Sequence, residues 1–304
     1  MTTTTLRRTG AVLIALAMVA APAAARAQMS ITRAGLPSDT SRIKRGSPAD
    51  TGAVRRGLLG QPVEVKANAS PEDDRALSAR LEKRFEVKRL FRERGLEFPA
   101  AETFFRIFKR ERVLEVWVRP QGKDQFALLK EYPICALAGQ LGPKRAQGDG
   151  QTPEGFYSID AFNPTSGYYL SLHINYPNRA DQLSNQGRAL GGAIFIHGGC
   201  QTEGCLAVTD EAIKELWVLA SESRAAGQTQ IPVHIFPARL TDAELKRLTQ
   251  AFDKKPELKQ FWASLKPSYD YFERTRLLPQ ISIDERGKYR MAPFSLIGKP
   301  TAIK

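Results

Sequence analysis

The stretch IFIHGGCQTEGCLAVTD, residues 194–210, holds two of the chain's three cysteines and one of its three histidines within nine residues. An apolar run leads into it, glycines at 198, 199 and 204 punctuate it, and a second apolar run follows. Three chemistries fit such a cluster. His197, Cys200 and Cys205 offer three ligands to a structural zinc, which wants a fourth; that would come from His173, His234 or a distant acid. Cys200 and Cys205 could instead close a small disulfide, which removes little chain entropy and would block a nucleophile. In the third, Cys205 is a nucleophile with His197 as its base, because a thiol becomes strongly nucleophilic once a neighbour takes its proton. Gly198, Gly199 and Gly204 then let backbone amides approach a substrate carbonyl and hold its oxyanion.

The flanking sequence bears on this choice through the compartment. Arg7 and Arg8 precede the apolar run GAVLIALAMVAAP, and Ala25–Arg26–Ala27 is a small-x-small cleavage pattern. Residues 1–27 therefore read as a signal peptide, too short for a comfortable membrane span, and the protein as periplasmic. An exported chain of 304 residues with only three cysteines is not stapled together by disulfides; with 42% hydrophobic residues it can build a core instead. An odd count leaves at least one thiol unpaired. The formal charge is +13, and removing Arg7, Arg8 and Arg26 leaves +10. Such a charge suits peripheral contact with an anionic membrane or wall polymers, and export argues against nucleic acid.

Residues 28–69 are rich in Gly, Ser, Pro, Ala and Arg and read as a disordered basic linker. Residues 70–100 form an N-terminal helical segment: Ser70 is an N-cap candidate, Pro71 suits the first turn, and Leu77, Leu81 and Phe85 make an apolar stripe for packing. Residues 101–240 are the candidate catalytic domain. Its short runs RVLEVWVRP, FALLKEYPICALAG, EGFYSID, GYYLSLHINY and GGAIFIHG are rich in β-branched and aromatic residues and bounded by Gly, Pro or Asn, as strands are. The glycine-rich stretch 139–157 lacks the Gly-Lys-Ser/Thr of a phosphate loop and reads as a long hairpin connection. Residues 210–227 and a C-terminal extension, 241–304, read as helical with an irregular tail, and Thr241 with Glu244 forms a capping box. The fold class is mixed, β-rich α+β.

The same motifs resemble the L,D-transpeptidase catalytic domain family. IHG at 196–198 and TEGC at 202–205 match its Ile-His-Gly and Ser/Thr-x-Gly-Cys signature, and GQTPEGFY at 150–157 resembles its Thr-Pro hairpin. YPICALAGQLGPK, YPNRAD and IPVHIFP look like a subfamily of exported murein-acting proteins. The resemblance covers roughly residues 100–290. It implies a β-sandwich-like catalytic core acting on peptidoglycan stem peptides, with Cys205 attacking the carbonyl of diaminopimelate and His197 as general base, then acid. It implies no cofactor and no metal. The closest subfamily includes a member that releases a lipoprotein from the wall, so a wall-linked lipoprotein joins the stem peptides as a candidate partner. Two departures stand out: the His197–Cys205 gap is shorter than the family's, and Ala207 occupies the position of its common arginine.

The remaining candidates are weaker. Cys200 lies nearer to His197 and is the alternative nucleophile; otherwise it joins His173 and Tyr176 as a candidate for lining the pocket. Cys135 reads as a buried small residue, and His234 as a core histidine. Tyr176, Asn178 and Asp181 either shape the pocket or form a turn. No carboxylate pair suggests a glycosidase. The functional expectation is cysteine-dependent amide hydrolysis or transpeptidation, against a non-catalytic wall-binding protein that keeps the fold.

Overall fold

The computed structural model describes residues 71–185 and 187–292. The chain divides into Met1–Pro62 and Val63–Lys304, and every described residue lies in the second unit. The signal peptide, the linker, the Ser70 cap and the end of the tail lie outside the described residues. Among the described residues no helix is long and apolar enough to cross a membrane.

The architecture is mixed α+β, built on one nine-stranded sheet. After helix α1 (Pro71–Glu93) come β1 (Glu102–Phe108), β2 (Val113–Arg119), β3 (Ala127–Pro133), β4 (Ala136–Leu137), β5 (Gly155–Asn163) and β6 (Ser171–Ile174). Helix α2 (Arg179–Ser184), β7 (Ile194–His197), β8 (Leu206–Ala207), α3 (Asp210–Ala225) and β9 (Ile231–Phe236) follow. Two helices, α4 (Asp242–Ala251) and α5 (Pro256–Thr275), and a hairpin, β10 (Ile281–Ile283) with β11 (Tyr289–Met291), complete the chain. The strand order is β3-β2-β1-β9-β5-β6-β7-β8-β4, with the β1–β9 and β7–β8 pairs parallel.

Strand alternation sorts the side chains between two cores. Phe105 and Ile107 of β1, Leu114 and Val116 of β2, and Val233 and Ile235 of β9 join the cluster that includes α1 and α3. The alternate residues Phe108 and Phe236 join a cluster with Leu248, Trp262, Leu265 and Tyr269 of α4 and α5. The sheet is thus covered by helices on both faces, which explains why β1 is buried almost throughout. Arg106 lies on the α5 face. It pairs with Glu115 at 2.7 Å and sits over the rings of Phe108, Trp117 and Phe272.

Helix starts follow their caps. The hydroxyls of Thr209 and Thr241 accept from Ala212 N and Glu244 N. Helix α5 is a single helix despite Pro267. Two expectations are corrected. The stripe of Leu77, Leu81 and Phe85 faces solvent, at 49%, 74% and 72% exposure. Helix α1 instead packs Ala79, Val87 and Phe91 inward and ties itself to α3 through Lys83–Glu211 and Lys214–Glu82. The docked face is apolar too, with Ala76 and Leu90 packed beside those residues, and the ion pairs flank it. Second, Cys135 is not a lone buried residue and Cys200 does not pair with Cys205. Cys135 and Cys200 form a disulfide, with Cα atoms 5.3 Å apart. The reason is register: β4 pairs with β8, Cys135 N donates to Ala207 O, and the loop after β7 returns Cys200 to within reach. Cys205 is left as a free thiol.

The long connection 138–154 is held by a buried ion pair. Lys109, just past β1, lies 3.0 Å from Glu154, with side chains 3% and 0% exposed. Lys109 Nζ also donates to the carbonyls of Gln140, Gly142 and Thr152. Glu154 accepts from Gly142 N and from Trp262 Nε1 of α5. Every donor and acceptor is satisfied, which such burial requires. Lys109→Met strands the Glu154 carboxylate, and we expect a loss of about 3–5 kcal/mol, read from the urea unfolding midpoint.

Candidate active site

Strand β7 ends at His197 and β8 begins at Leu206, so Cys205 stands at the mouth of two parallel neighbours. The register Ile196↔Leu206 and His197↔Ala207 brings Cys205 beside Phe195. Phe195 N donates to Cys205 Sγ at 3.4 Å, and Sγ donates to Ala193 O at 3.5 Å. From behind, the Thr152 hydroxyl donates to Cys205 O at 3.1 Å, linking the nucleophile candidate to the Lys109-anchored connection. His197 and Cys205 line one cavity of about 480 Å³, with Thr202, Tyr168, Lys144 and the segment Gly191–Ile194 around them.

The His197 ring is oriented by its neighbour. Nδ1 lies 2.7 Å from Gly198 O. A carbonyl only accepts, so Nδ1 carries the proton and Nε2 is the free base. The Tyr168 ring lies against the imidazole, with centroids 4.5 Å apart. Burial holds His197 below its usual 6.5, with the Gly198 carbonyl partly opposing. Burial pushes the Cys205 thiol above 9.0, while Phe195 N–H, the Thr202 hydroxyl and the Lys144 charge pull it down. Both shifts favour the neutral forms, a thiol and an imidazole that share one cavity. Such a pair can move a proton from sulfur to nitrogen when an electrophile arrives.

The backbone amides expected to hold an oxyanion are already in use. Gly198 N donates to Leu170 O at 3.3 Å and Gly199 N to Asp210 Oδ1 at 2.8 Å. Gly204 N and Cys205 N both donate to Thr202 Oγ1, at 3.3 and 2.8 Å. Gly198 serves space: a Cβ there would meet Asp210 Oδ1 at 2.4 Å and Tyr168 O at 3.0 Å. The Thr202 hydroxyl accepts two N–H bonds and keeps its own proton to donate, which makes it the better-placed donor on this side of the cavity.

Other predicted residues fall elsewhere. His173 pairs in register with Phe195, while Ser171 stands across from His197. His173 is absent from the cavity lining, and its Nδ1 meets Asp160 at 2.5 Å. Tyr176 is buried behind the wall, with its ring 6.0 Å from Lys144 Nζ. Asn178 and Asp181 form a reciprocal cap on α2, so they are the turn and not the pocket. Cys200 is in the disulfide and neither lines the cavity nor keeps a thiolate for zinc. Among the described residues no group of His, Cys, Asp and Glu is arranged to hold a metal ion. His234 is packed among Phe104, Phe156 and Phe236, and burial drops its pKa to about 3, as a core histidine requires. A lysine in a glycine-rich connection, Lys144, and a tyrosine in a loop, Tyr168, carry no local signal in the sequence that they line one cavity with a distant histidine.

Comparison with known proteins places the chain in a family. A family profile for the YkuD L,D-transpeptidase catalytic domain matches residues 104–235. "Putative L,D-transpeptidase YafK" of Escherichia coli strain K12 is 39% identical over 196 residues, spanning 64% of this chain and 75% of that protein. Among solved structures, the helical cell shape determining protein Pgp2 (K307A mutant) of Campylobacter jejuni aligns with 21% identity and a TM-score of 0.36. That alignment covers 55% of this chain and 59% of Pgp2, so the chain spans less than two thirds of that structure. Bd1075 of Bdellovibrio bacteriovorus aligns with 24% identity and a TM-score of 0.34, over 56% and 59%. With 39% identity across three quarters of a relative, and the family's catalytic-domain profile laid over β1 to β9, this chain belongs to the L,D-transpeptidase family.

Proposed function

We propose that the protein is an exported, periplasmic cysteine enzyme that opens an amide at the diaminopimelate position of peptidoglycan stem peptides. The observation that carries this reading is the shared cavity of a free thiol, Cys205, and an imidazole whose Nδ1 proton is committed to Gly198 O. As Sγ attacks the carbonyl carbon, its proton passes to His197 Nε2. The carbonyl π pair moves onto oxygen, toward the Thr202 hydroxyl. Collapse breaks the C–N bond, His197 returns the proton to the leaving amine, and a thioester remains on Cys205. In the second half, water or an amine gives its proton to Nε2, attacks the thioester and releases the thiol. Water yields hydrolysis, which frees a wall-linked protein or stem residue; an amine yields a cross-link. Hydrolysis is the leading outcome. Ala207 is fully buried between β7 and β4, so no arginine reaches substrate from there, and Lys144 is the cation in the cavity wall. No cofactor enters any step.

The test is product analysis by mass spectrometry on bare and lipoprotein-linked sacculi. Cys205→Ala and His197→Gln each lower turnover by at least about a thousandfold. A Cys205→Ala protein that turns over like the parent would overturn Cys205 as the nucleophile, and a parent with no turnover would leave a wall-binding role. Thr202→Val lowers kcat by about a hundredfold with little change in KM, while Thr202→Ser restores most of it. The pH dependence follows from the two burial effects. His197 must be neutral to accept the proton and its pKa is lowered, so the acid limb of kcat/KM has its midpoint below 6.5. Alkylation of Cys205 by iodoacetamide has its midpoint above 9.0, and Lys144→Met moves it higher still, by removing a charge that favours the thiolate.

A further inference from the structure

A second cavity, of about 520 Å³, lies on the other side of the wall that bounds the first. The wall is made of two segments. In residues 143–149, Asp149 accepts from Lys144 Nζ at 2.5 Å and from the amides of Arg145 and Ala146 at 2.8 and 2.9 Å, which closes a tight turn. Gln147 N donates to Ala189 O at 2.8 Å and ties that turn to the second segment, residues 188–193. Each segment serves both cavities. Lys144 and Gly191 line the first, while Arg145 and Arg188 line the second.

The far rim of the second cavity comes from the C-terminal extension, beyond the matched family domain. Gly287, at the tip of the β10–β11 hairpin, is seated on α2; a Cβ there would meet Ser184 Oγ at 2.5 Å and Ala180 O at 2.8 Å. That close seat holds Arg286 and Lys288, on either side of the glycine, at the cavity rim. Leu183, Leu258 and Phe261 supply apolar surface, and the Arg145 guanidinium lies 5.5 Å from the Phe261 ring. The cavity thus collects four cations, Arg145, Arg188, Arg286 and Lys288, against one carboxylate, Glu257. Among the described residues, Arg188, Arg286, Lys288 and Glu257 form no ion pair. Arg145 has only Asp181, at 4.0 Å. Solvated lysines and arginines ordinarily spread over convex surface. Four of them around a concavity with apolar walls repel one another and are relieved by an anionic guest, which arginine can grip in bidentate fashion.

We propose that this cavity is a carboxylate-binding subsite that holds the arm of a peptide substrate remote from the scissile amide. This inference rests on the function proposed above, because adjacent residues of one wall line both the candidate active site and this cavity. The carboxylates could belong to a second stem peptide or to an acidic segment of a wall-linked protein; the chemistry recognised is the same.

The experiment uses the full-length chain carrying Cys205→Ala, so that binding is read without turnover. Calorimetry compares a diaminopimelate-containing tetrapeptide with free carboxylates, the same peptide fully amidated, and an acidic hexapeptide. We expect amidation to weaken binding at least about tenfold, and the double substitution Arg286→Glu/Lys288→Glu to do the same. Arg188→Gln, on a different segment, weakens it in the same direction and guards against a misfolded hairpin variant. Competition by the hexapeptide assigns the carboxylates to a linked protein, and its failure to compete assigns them to stem peptide. Equal affinity for the free and amidated peptides, or for parent and charge-reversed protein, overturns the subsite. An inert Cys205 in the otherwise wild-type chain would sink the cysteine mechanism while this isotherm still reported on the cavity.

Discussion

The Lys109–Glu154 pair is the constraint on which the candidate active site hangs. A long connection with five glycines between 139 and 155 has little apolar surface of its own to bury, so it needs polar anchors. Lys109 supplies them by donating to three of its carbonyls, and Glu154 closes the account by taking Gly142 N and the Trp262 indole. Thr152, held by Lys109 at its carbonyl, reaches Cys205 O with its hydroxyl. One buried ion pair thereby ties the end of β1, the α5 face and the nucleophile candidate together. Burial would be prohibitive for either charge alone, and the low dielectric that makes it so also makes the satisfied network stiff.

In the candidate site, geometry rather than an ion pair sets the relation of thiol and imidazole. Burial raises the thiol and lowers the imidazole, so both are neutral at rest. The arrangement then rests on the tautomer, which Gly198 O selects, and on a sulfur held between Phe195 N and Ala193 O. The Cys135–Cys200 bridge ties the loop between histidine and cysteine to the strand beside β8. A loop of seven residues with three glycines would otherwise be free to disperse these groups. In the chain-entropy picture, closing a 65-residue separation removes about 4 kcal/mol of unfolded-state freedom.

Helix α1 docks through an apolar face flanked by ion pairs. Its most apolar stripe, Leu77, Leu81 and Phe85, is left to solvent, while Lys83 and Glu82 meet Glu211 and Lys214 of α3. Surface ion pairs add little individually. Here they accompany close approach through Ala79, Val87 and Phe91, and that combination fixes the rotation of the helix.

What the sequence by itself determined was local. The caps Thr209 and Thr241 sit at the starts of α3 and α4, the alternating runs are strands, and the His-Gly and Gly-Cys motifs converge on one cavity. Such features depend on backbone chemistry within a few residues, or on a motif whose spacing already encodes its geometry. The tertiary structure decided everything that needed a second strand or helix to be in place. It chose Cys135 as the partner of Cys200, turned His173 to Asp160, laid Tyr168 against His197, and placed Lys144 in the same cavity wall. It also engaged the loop amides, Gly199 N on Asp210 and those of Gly204 and Cys205 on the Thr202 hydroxyl. Each of those outcomes is set by sheet register and by loops folding back across it, and contacts between residues tens of positions apart leave no periodic trace along the chain.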